Sequence, residues 1–350
     1  MALQLLPWAP EFGAGIEADV DGTTPPPQEI DTRVELAEWR AVTPAAPAPD
    51  SLRIVDGVRR VEAHAMEEAP SGAPGAPGAP LGDEDAPALG LFGSFAVGAV
   101  ALDTGAPARI DESTIRLERC YLQTGGDPTE RAIAAGRAEL RYRPRVAHDA
   151  TSPRDLVAAL NRAMLDEEAL LAAKLAADES ALVLVDGPLR PRLRGRRSVG
   201  YVKRIHQWYV GARERTLAVR LDVGQRTPLF HIDGEAGAAR YSWYARTASL
   251  HGLFHPLAGV VRMECAGTLP IAEAARLADE ATTALPRLAS TPVRDPRAPQ
   301  NLLPVGGLER ALTHRLGDRR WVRRLLTASF ADGEVEARAE PIAIATEVLA

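Results

Sequence analysis

Four consecutive aliphatic residues, Leu182 to Val185, are halted by Asp186 and Gly187, and no other stretch constrains the fold of this chain so tightly. A run with no polar face reads as a strand buried on both sides within a sheet, delivering one carboxylate at its carboxyl end. Open sheets favour that end for catalytic groups. Arg190, Arg192, Arg194, Arg196 and Arg197 follow with no acid among them, and a second apolar run, Val199 to Val202, ends at Lys203. Carboxylate, basic loop and lysine in that order suit a phosphodiester. The competing reading, of equal weight on this stretch alone, makes Asp186-Gly187 a turn and the arginines a solvated loop.

A partner for Asp186 lies far upstream in SLRIVDGVRRVEAHAM, Ser51 to Met66. Here too a short apolar strand, Leu52 to Val55, meets Asp-Gly, and the pattern resumes at Val58, Val61 and Ala63 as though the chain pairs back in a hairpin. Asp56 is then expected at a strand end or turn. Two carboxylates side by side in one sheet repel each other unless a divalent cation lies between them, which is how oxygen-rich Mg²⁺ or Mn²⁺ sites are assembled.

Composition limits the alternatives. With 350 residues, 46% of them hydrophobic, the chain can bury a sizeable core. A formal charge of −6 excludes a wholly basic, histone-like binder, so any nucleic-acid contact comes from a local patch such as the arginine loop. Cys120 and Cys265 are the only cysteines and lack metal-ligand spacing, which fits buried thiols in a reducing compartment better than a disulfide framework. No apolar run is long enough to span a bilayer, and the first residues show no basic segment followed by an apolar one, so the expected address is the cytoplasm with no membrane contact.

The first fifty residues are proline-rich around a short helix expected near Thr32 to Trp39, and read as a wrapping arm. Between Met66 and Pro87 the segment SGAPGAPGAPLGDEDAP buries too little apolar surface to offset its ordering entropy and reads as a mobile Gly/Pro-rich insertion. Strand patterns return over Leu89 to Leu102, Ser113 to Leu122 and Ala138 to Val146. Ser152, Pro153 and Asp155 then mark a helix start, and the helix is expected to run to about Ala177 with Leu160, Met164, Leu171 and Leu175 on its apolar stripe. Glu167 and Glu168 lie at the border of that stripe. Either one is a third ligand for an ion or both are solvated flank residues, and helical phase does not choose between them.

Further strands are read over Thr216 to Val223, Pro228 to Ile232, Arg240 to Arg246 and Ala258 to Glu264, and helices over Ile271 to Leu288 and Val305 to Leu316. Trp208 and Trp243, close to arginines, either stack on unpaired bases or pack in the core. Arg319, Arg320, Arg323 and Arg324 form either a phosphate contact or a solvated helix face. The seven histidines contain no H-E-x-x-H, and there is no G-x-x-x-x-G-K-[ST] loop and no G-x-S-x-G. Zinc hydrolase, self-sufficient ATPase and serine esterase are thereby excluded on motif grounds.

Five motifs in order, IVDGVRR at Ile54 to Arg60, LVLVDGPL at Leu182 to Leu189, VGYVKRIH at Val199 to His206, SWYAR at Ser242 to Arg246 and PQNLLPVGGLE at Pro299 to Glu309, resemble the NurA nuclease family in a bacterial branch. The resemblance implies an α/β fold with an RNase H-like core, a mixed central sheet flanked by helices, an arm over 1–50, a nuclease domain over 51–330 with the flexible loop at 67–87, and a tail over 331–350. It also implies a Mn²⁺- or Mg²⁺-dependent deoxyribonuclease, a 5′–3′ exonuclease and/or single-strand endonuclease. Such a nuclease acts as a homodimer with a HerA-type hexameric ATPase in DNA end resection, repair or defence.

Carried over by motif, the family's two aspartates fall on Asp56 and Asp186, its helical glutamate best on Glu168 with Glu167 one residue away, and its lysine on Lys203. Archaeal relatives carry a histidine near the C-terminus that PQNLLPVGGLE lacks, and His314 lies too far on to match it. In this reading Asp56, Glu168 and Asp186 hold the metal, Lys203 steadies charge on the scissile phosphate, and Arg190, Arg192, Arg194, Arg196 and Arg197 guide DNA by its backbone. Two other classes stay open. One is a non-catalytic DNA-binding clamp or adaptor subunit of a translocase, and the other is an α/β protein that binds a small anion at the arginine loop.

Overall fold

The computed structural model describes residues 3–5, 29–67, 87–124, 129–147, 149–193, 197–205, 207–234, 239–249, 256–291, 293–295 and 298–331. The chain runs β1 (Leu3–Leu5), β2 (Ile30–Asp31), β3 (Ser51–Glu67), β4 (Ala88–Asp103), β5 (Arg109–Gln123), β6 (Arg131–Ala135) and β7 (Ala138–Val146) before its first helix, α1 (Pro153–Leu175). There follow β8 (Leu182–Asp186), β9 (Ser198–Val202), α2 (Ala212–Arg220), β10 (Phe230–Ile232), β11 (Arg240–Arg246), β12 (Val260–Ala266), α3 (Ile271–Leu288), α4 (Leu303–Arg315) and α5 (Arg319–Ala331). Among the described residues the strands make one mixed sheet in the order β2-β10-β11-β12-β9-β8-β3-β4-β5-β7-β6, with β1 paired to β3. Its centre is parallel, because β8 pairs in parallel with both β3 and β9.

The unbroken apolar run of β8 is explained by what covers it. Val183 and Val185 join a cluster with Leu156, Leu160, Met164 and Leu171 of α1. Leu182 and Leu184 face the other way, into a cluster with Leu277, Leu285 and Leu302 at α3 and the entry to α4. Each fully buried side chain of this kind contributes roughly 1.5–3 kcal/mol relative to exposure, so a strand with helices on both faces has no room for a polar residue until its end.

The start of α1 is the expected one. Ser152 accepts from the backbone N–H of Asp155 while the Asp155 carboxylate accepts from the backbone N–H of Ser152, a reciprocal cap with Pro153 in the first turn. Leu160, Met164 and Leu171 are buried as the stripe predicts.

Four expectations need correction or fall elsewhere. There is no hairpin at Asp56-Gly57, for β3 is a single 17-residue strand. Pairing to β4 along its whole length and to β8 over Leu52 to Val55 supplies backbone partners that a turn would forfeit. Thr32 to Trp39 forms no helix. That segment runs through a succession of bends, where the Glu35 carboxylate accepts from Arg226 Nη2 at 2.7 Å and from the Leu229 N–H at 2.6 Å. Thr216 to Val223 is not a strand, because Thr216 to Arg220 belongs to α2, whose good helix formers and single buried residue, Ala218, favour local hydrogen bonds over a place in the sheet. Of the Gly/Pro-rich loop expected at 67–87, residues 68–86 lie outside the described residues, and Glu67 is instead the last residue of β3. No helix among the described residues is long and apolar enough to cross a membrane.

Candidate active site

The parallel ladder between β3 and β8 ends at the pair Val55 and Val185, so the next residue on each strand is an aspartate. Asp56 is 4% exposed and its Oδ2 has no hydrogen-bond partner. Asp186 is half-buried, and its Oδ2 accepts from Lys203 Nζ at 2.7 Å. Lys203 stands one residue beyond β9, which pairs in parallel with β8. Gly187, with φ +86, turns the chain out of β8, and its N–H donates to Tyr201 O at 2.9 Å.

The site straddles the sheet. Leu52 and Ile54 face α3 and Val58 packs against Leu308 and Leu312 of α4, so strand alternation sends Asp56 to the same face. Leu182 and Leu184 likewise put Asp186 there, and Val199 and Tyr201 put Lys203 there. Val55 and Gly57 face α1 instead: a Cβ on Gly57 would meet Met164 Cγ at 3.1 Å and Glu168 Oε1 at 2.5 Å. Glu168 therefore comes to Asp56 from the opposite side, lying where a side chain at 57 would be. Between the two glutamates that the helical phase leaves open, Glu168 is the buried one, at 6% exposure, and Glu167 is a half-buried flank residue.

Burial pushes the Asp56 carboxyl well above the usual carboxylate range; the Asp186 charge adds to this and Lys203 works against it. Burial likewise pushes Glu168 well up, helped by Asp56 and Asp186 and opposed by Arg190 and Lys203. Burial alone would lower Lys203, but Asp186, Asp56 and the hydrogen bond to Asp186 together hold it above the ordinary lysine value.

Among the described residues no three His, Cys, Asp or Glu side chains stand close enough together to hold an ion as placed. The donor chemistry nonetheless fits a hard cation: all the ionisable acceptors are carboxylates, and one buried oxygen on Asp56 is without a partner.

The arginine loop divides. Arg190 is half-buried within electrostatic reach of Glu168, and Arg192 is exposed. Arg194 and Arg196 lie outside the described residues. Arg197 is committed to the fold, with Nη2 donating to Glu280 Oε2 at 2.6 Å. The loop's entry is fixed by Glu264, a carboxylate 1% exposed that accepts from the Leu189 N–H at 3.0 Å and pairs with Arg240 and Arg262. Those two arginines outweigh burial and hold Glu264 below its usual value.

Trp243 is a core residue, its Nε1 donating to Thr282 Oγ1 at 3.2 Å, and Trp208 lies against Tyr244 with ring centroids 4.9 Å apart. On α5, Val322 and Leu326 are buried while Arg320 and Arg324 are exposed.

Three residues of this neighbourhood escape sequence reasoning. Gly57 reads as half of a turn signal, although glycine inside a strand pattern also marks a close approach. Glu264 is one more acid in a strand. Glu309 follows the apolar stripe Val305, Leu308 and Leu312 of α4, and nothing in the sequence says which face of the sheet that stripe covers.

A family model described as NurA domain matches residues 105–310, more than half of the 350 residues. The match takes in Glu168, Asp186, Lys203 and Glu309 but begins after β3, so Asp56 joins the site through the sheet and not through the matched span. No curated protein matches the chain. A mixed sheet flanked by helices, consistent with an RNase H-like core, and a family match of this extent make the chain a member of the NurA family of nucleases.

Proposed function

We propose that this chain is a divalent-cation-dependent deoxyribonuclease. The observation that carries the reading is the pair Asp56 and Asp186, adjacent at the end of a parallel ladder, with a buried and unpartnered oxygen on Asp56. Asp56, Asp186 and Glu168 would hold Mn²⁺ or Mg²⁺. Such an ion, when bound, supplies Lewis acidity toward the phosphodiester and a water of lowered pKa. Asp56 and Glu168, whose protonated forms burial favours, would hold the cation as deprotonated carboxylates. Lys203, now held by Asp186, is, among the described residues, the cation best placed to offset charge on the scissile phosphate. Arg190 and Arg192 are assigned to the DNA backbone, which makes binding independent of sequence and sensitive to salt.

In this reading residues 51–330 form the nuclease unit and 1–50 an N-terminal arm. Family membership supports DNA as the substrate. It also makes a homodimer, a HerA-type ATPase partner and work in end resection, repair or defence in the cytoplasm the natural setting, whether cleavage is exonucleolytic from 5′ ends or endonucleolytic on single strands. A second reading, a non-catalytic DNA clamp, is favoured by one observation, the engagement of Asp186 by Lys203.

Incubation with labelled single- and double-stranded DNA separates the two. Cleavage with Mn²⁺ that stops with chelator is the expected result. DNA retained intact under both conditions supports the clamp.

A further inference from the structure

Helix α5 lies on the same face of the sheet as Asp56. Phe92 of β4 packs against the helix, and Gly98, the cross-strand partner of Asp56, stands six positions further along β4, an even spacing that keeps both residues on one face. At the rise of a strand the helix is about 20 Å along the sheet from Asp56.

The rotation of α5 is fixed from beneath and from its start. Val322 and Leu326 are fully buried in a cluster with Ala65, Phe92, Tyr121 and Tyr142. Arg60 Nη1 donates to Gly317 O at 2.7 Å and Arg119 Nη2 to Leu316 O at 3.1 Å, which ties the turn before α5 to β3 and β5. Asp318 Oδ1 caps the helix by accepting from the Trp321 N–H at 2.6 Å. The other side of the helix is thereby set toward solvent. Arg320, Trp321, Arg324, Thr327 and Ala328 are all exposed, Trp321 by 42%.

Folding alone explains neither feature of that side. Arg319, Arg320, Arg323 and Arg324 crowd the first two turns, and the helix, RRWVRRLLTASFA, contains no acid. A helix N-terminus carries the positive end of the dipole, so cations there oppose it and an anion there is favoured. The second feature is Trp321, an indole left in water with Arg324 three residues on and the small Ala328 seven residues on along the same helix side. A positive field and an exposed ring on one side of one helix fit a polyanion that carries aromatic rings of its own.

We infer that the Arg320, Trp321 and Arg324 side of α5 is a platform for single-stranded DNA, with Trp321 stacking on an unpaired base and the arginines holding the phosphates beside it. This rests on the nuclease reading and deepens it, because it adds a strand-holding surface on the Asp56 face and outside the arginine loop. Bases in a duplex are stacked on one another and leave Trp321 nothing to stack on, so the platform selects single strands.

The test is an anisotropy titration of the full-length protein into labelled single-stranded and duplex DNA of equal length, with chelator to prevent cleavage and at several salt concentrations. Trp321→Ala, Trp321→Leu, Trp321→Phe and the double variant Arg320→Ala/Arg324→Ala are compared with the wild type, each with a thermal melt. Trp321→Ala is expected to weaken single-strand binding about tenfold and to leave duplex binding unchanged. Trp321→Leu, apolar but without a ring, should fall with it, and Trp321→Phe should keep most of the affinity. The double arginine variant should flatten the logarithmic salt slope for single strands by about 1.4. Its melting temperature should hold or rise, as befits removal of cations from the positive end of a helix. Single-strand affinity in Trp321→Ala and Trp321→Leu equal to the wild type, or an equal loss on both forms of DNA, overturns the platform, and Mn²⁺-dependent cleavage by the wild type would then leave the nuclease reading standing. A wild type that neither binds nor cleaves DNA overturns both.

Discussion

Glu168 Oε1 lies 2.5 Å from the point where a side chain on Gly57 would begin, so the glutamate of α1 occupies space that only glycine leaves open on β3. Gly57→Ala must push the carboxylate away or shift the helix. Overpacking of this kind costs about 1–3 kcal/mol. Denaturant unfolding should register that loss, and Glu168→Ala placed in the same chain should recover part of it. Additive effects of the two substitutions would show that they do not share the space.

Lys203 and Asp186 form the ion pair at the strand ends, with 17% and 32% side-chain exposure. Lys203→Met leaves Asp56 and Asp186 without their nearest cation. The metal-free protein should lose stability, Mn²⁺ should restore more of it than in the wild type, and cleavage should fall by about 10²–10³-fold if the ammonium serves the transition state. Melting curves with and without Mn²⁺, together with single-turnover rates, check each part. An unchanged rate removes Lys203 from the chemistry.

The raised carboxyls give the metal-free protein a sign for its pH dependence. Asp56 and Glu168 sit above the usual carboxylate range because of burial first and neighbouring carboxylates second. Their contribution to stability is fully present below the unfolded value of about 4 and is lost as pH rises through the folded values. With chelator present, the melting temperature of Asp56→Asn should gain on the wild type as pH rises above the unfolded carboxylate value of about 4. An Asp56→Asn melting temperature that falls relative to the wild type as pH rises contradicts the assignment.

How much of this was readable beforehand depends on the residue. Asp186 is legible because a continuous aliphatic run has one physical meaning, burial on both faces, and must end where the polar residue appears. The cap of α1 is legible for the same local reason. Asp56 is legible as a partner, but its setting is not: Asp-Gly carries the chemistry of a turn, and only the pairing of β3 with neighbours distant in sequence makes that dipeptide part of a long strand. The choice of Glu168 over Glu167, and the presence of Glu309, depend on how helices rotate against the sheet, which periodicity within one helix does not encode.

Arg197 and Arg192 look alike in the sequence and differ in the fold. Arg197 holds Glu280, which Arg276 also approaches at 2.8 Å, whereas Arg192 is exposed. Arg197→Ala should cost about 1–3 kcal/mol of stability. Arg192→Ala should leave stability unchanged and flatten the salt dependence of single-strand DNA binding by about 0.7 in the logarithmic slope. Unfolding curves and binding titrations across salt concentrations distinguish them, and exchanged effects would contradict the division.

The account stands on Asp56 and Asp186 acting together on one cation, and the most direct measurement is the rate of DNA cleavage by Asp186→Asn in Mn²⁺, at protein concentrations where DNA binding is saturated. Cleavage lost to the level seen with chelator, with DNA affinity and melting temperature retained, is the predicted result. Cleavage at the wild-type rate by the folded variant would contradict it.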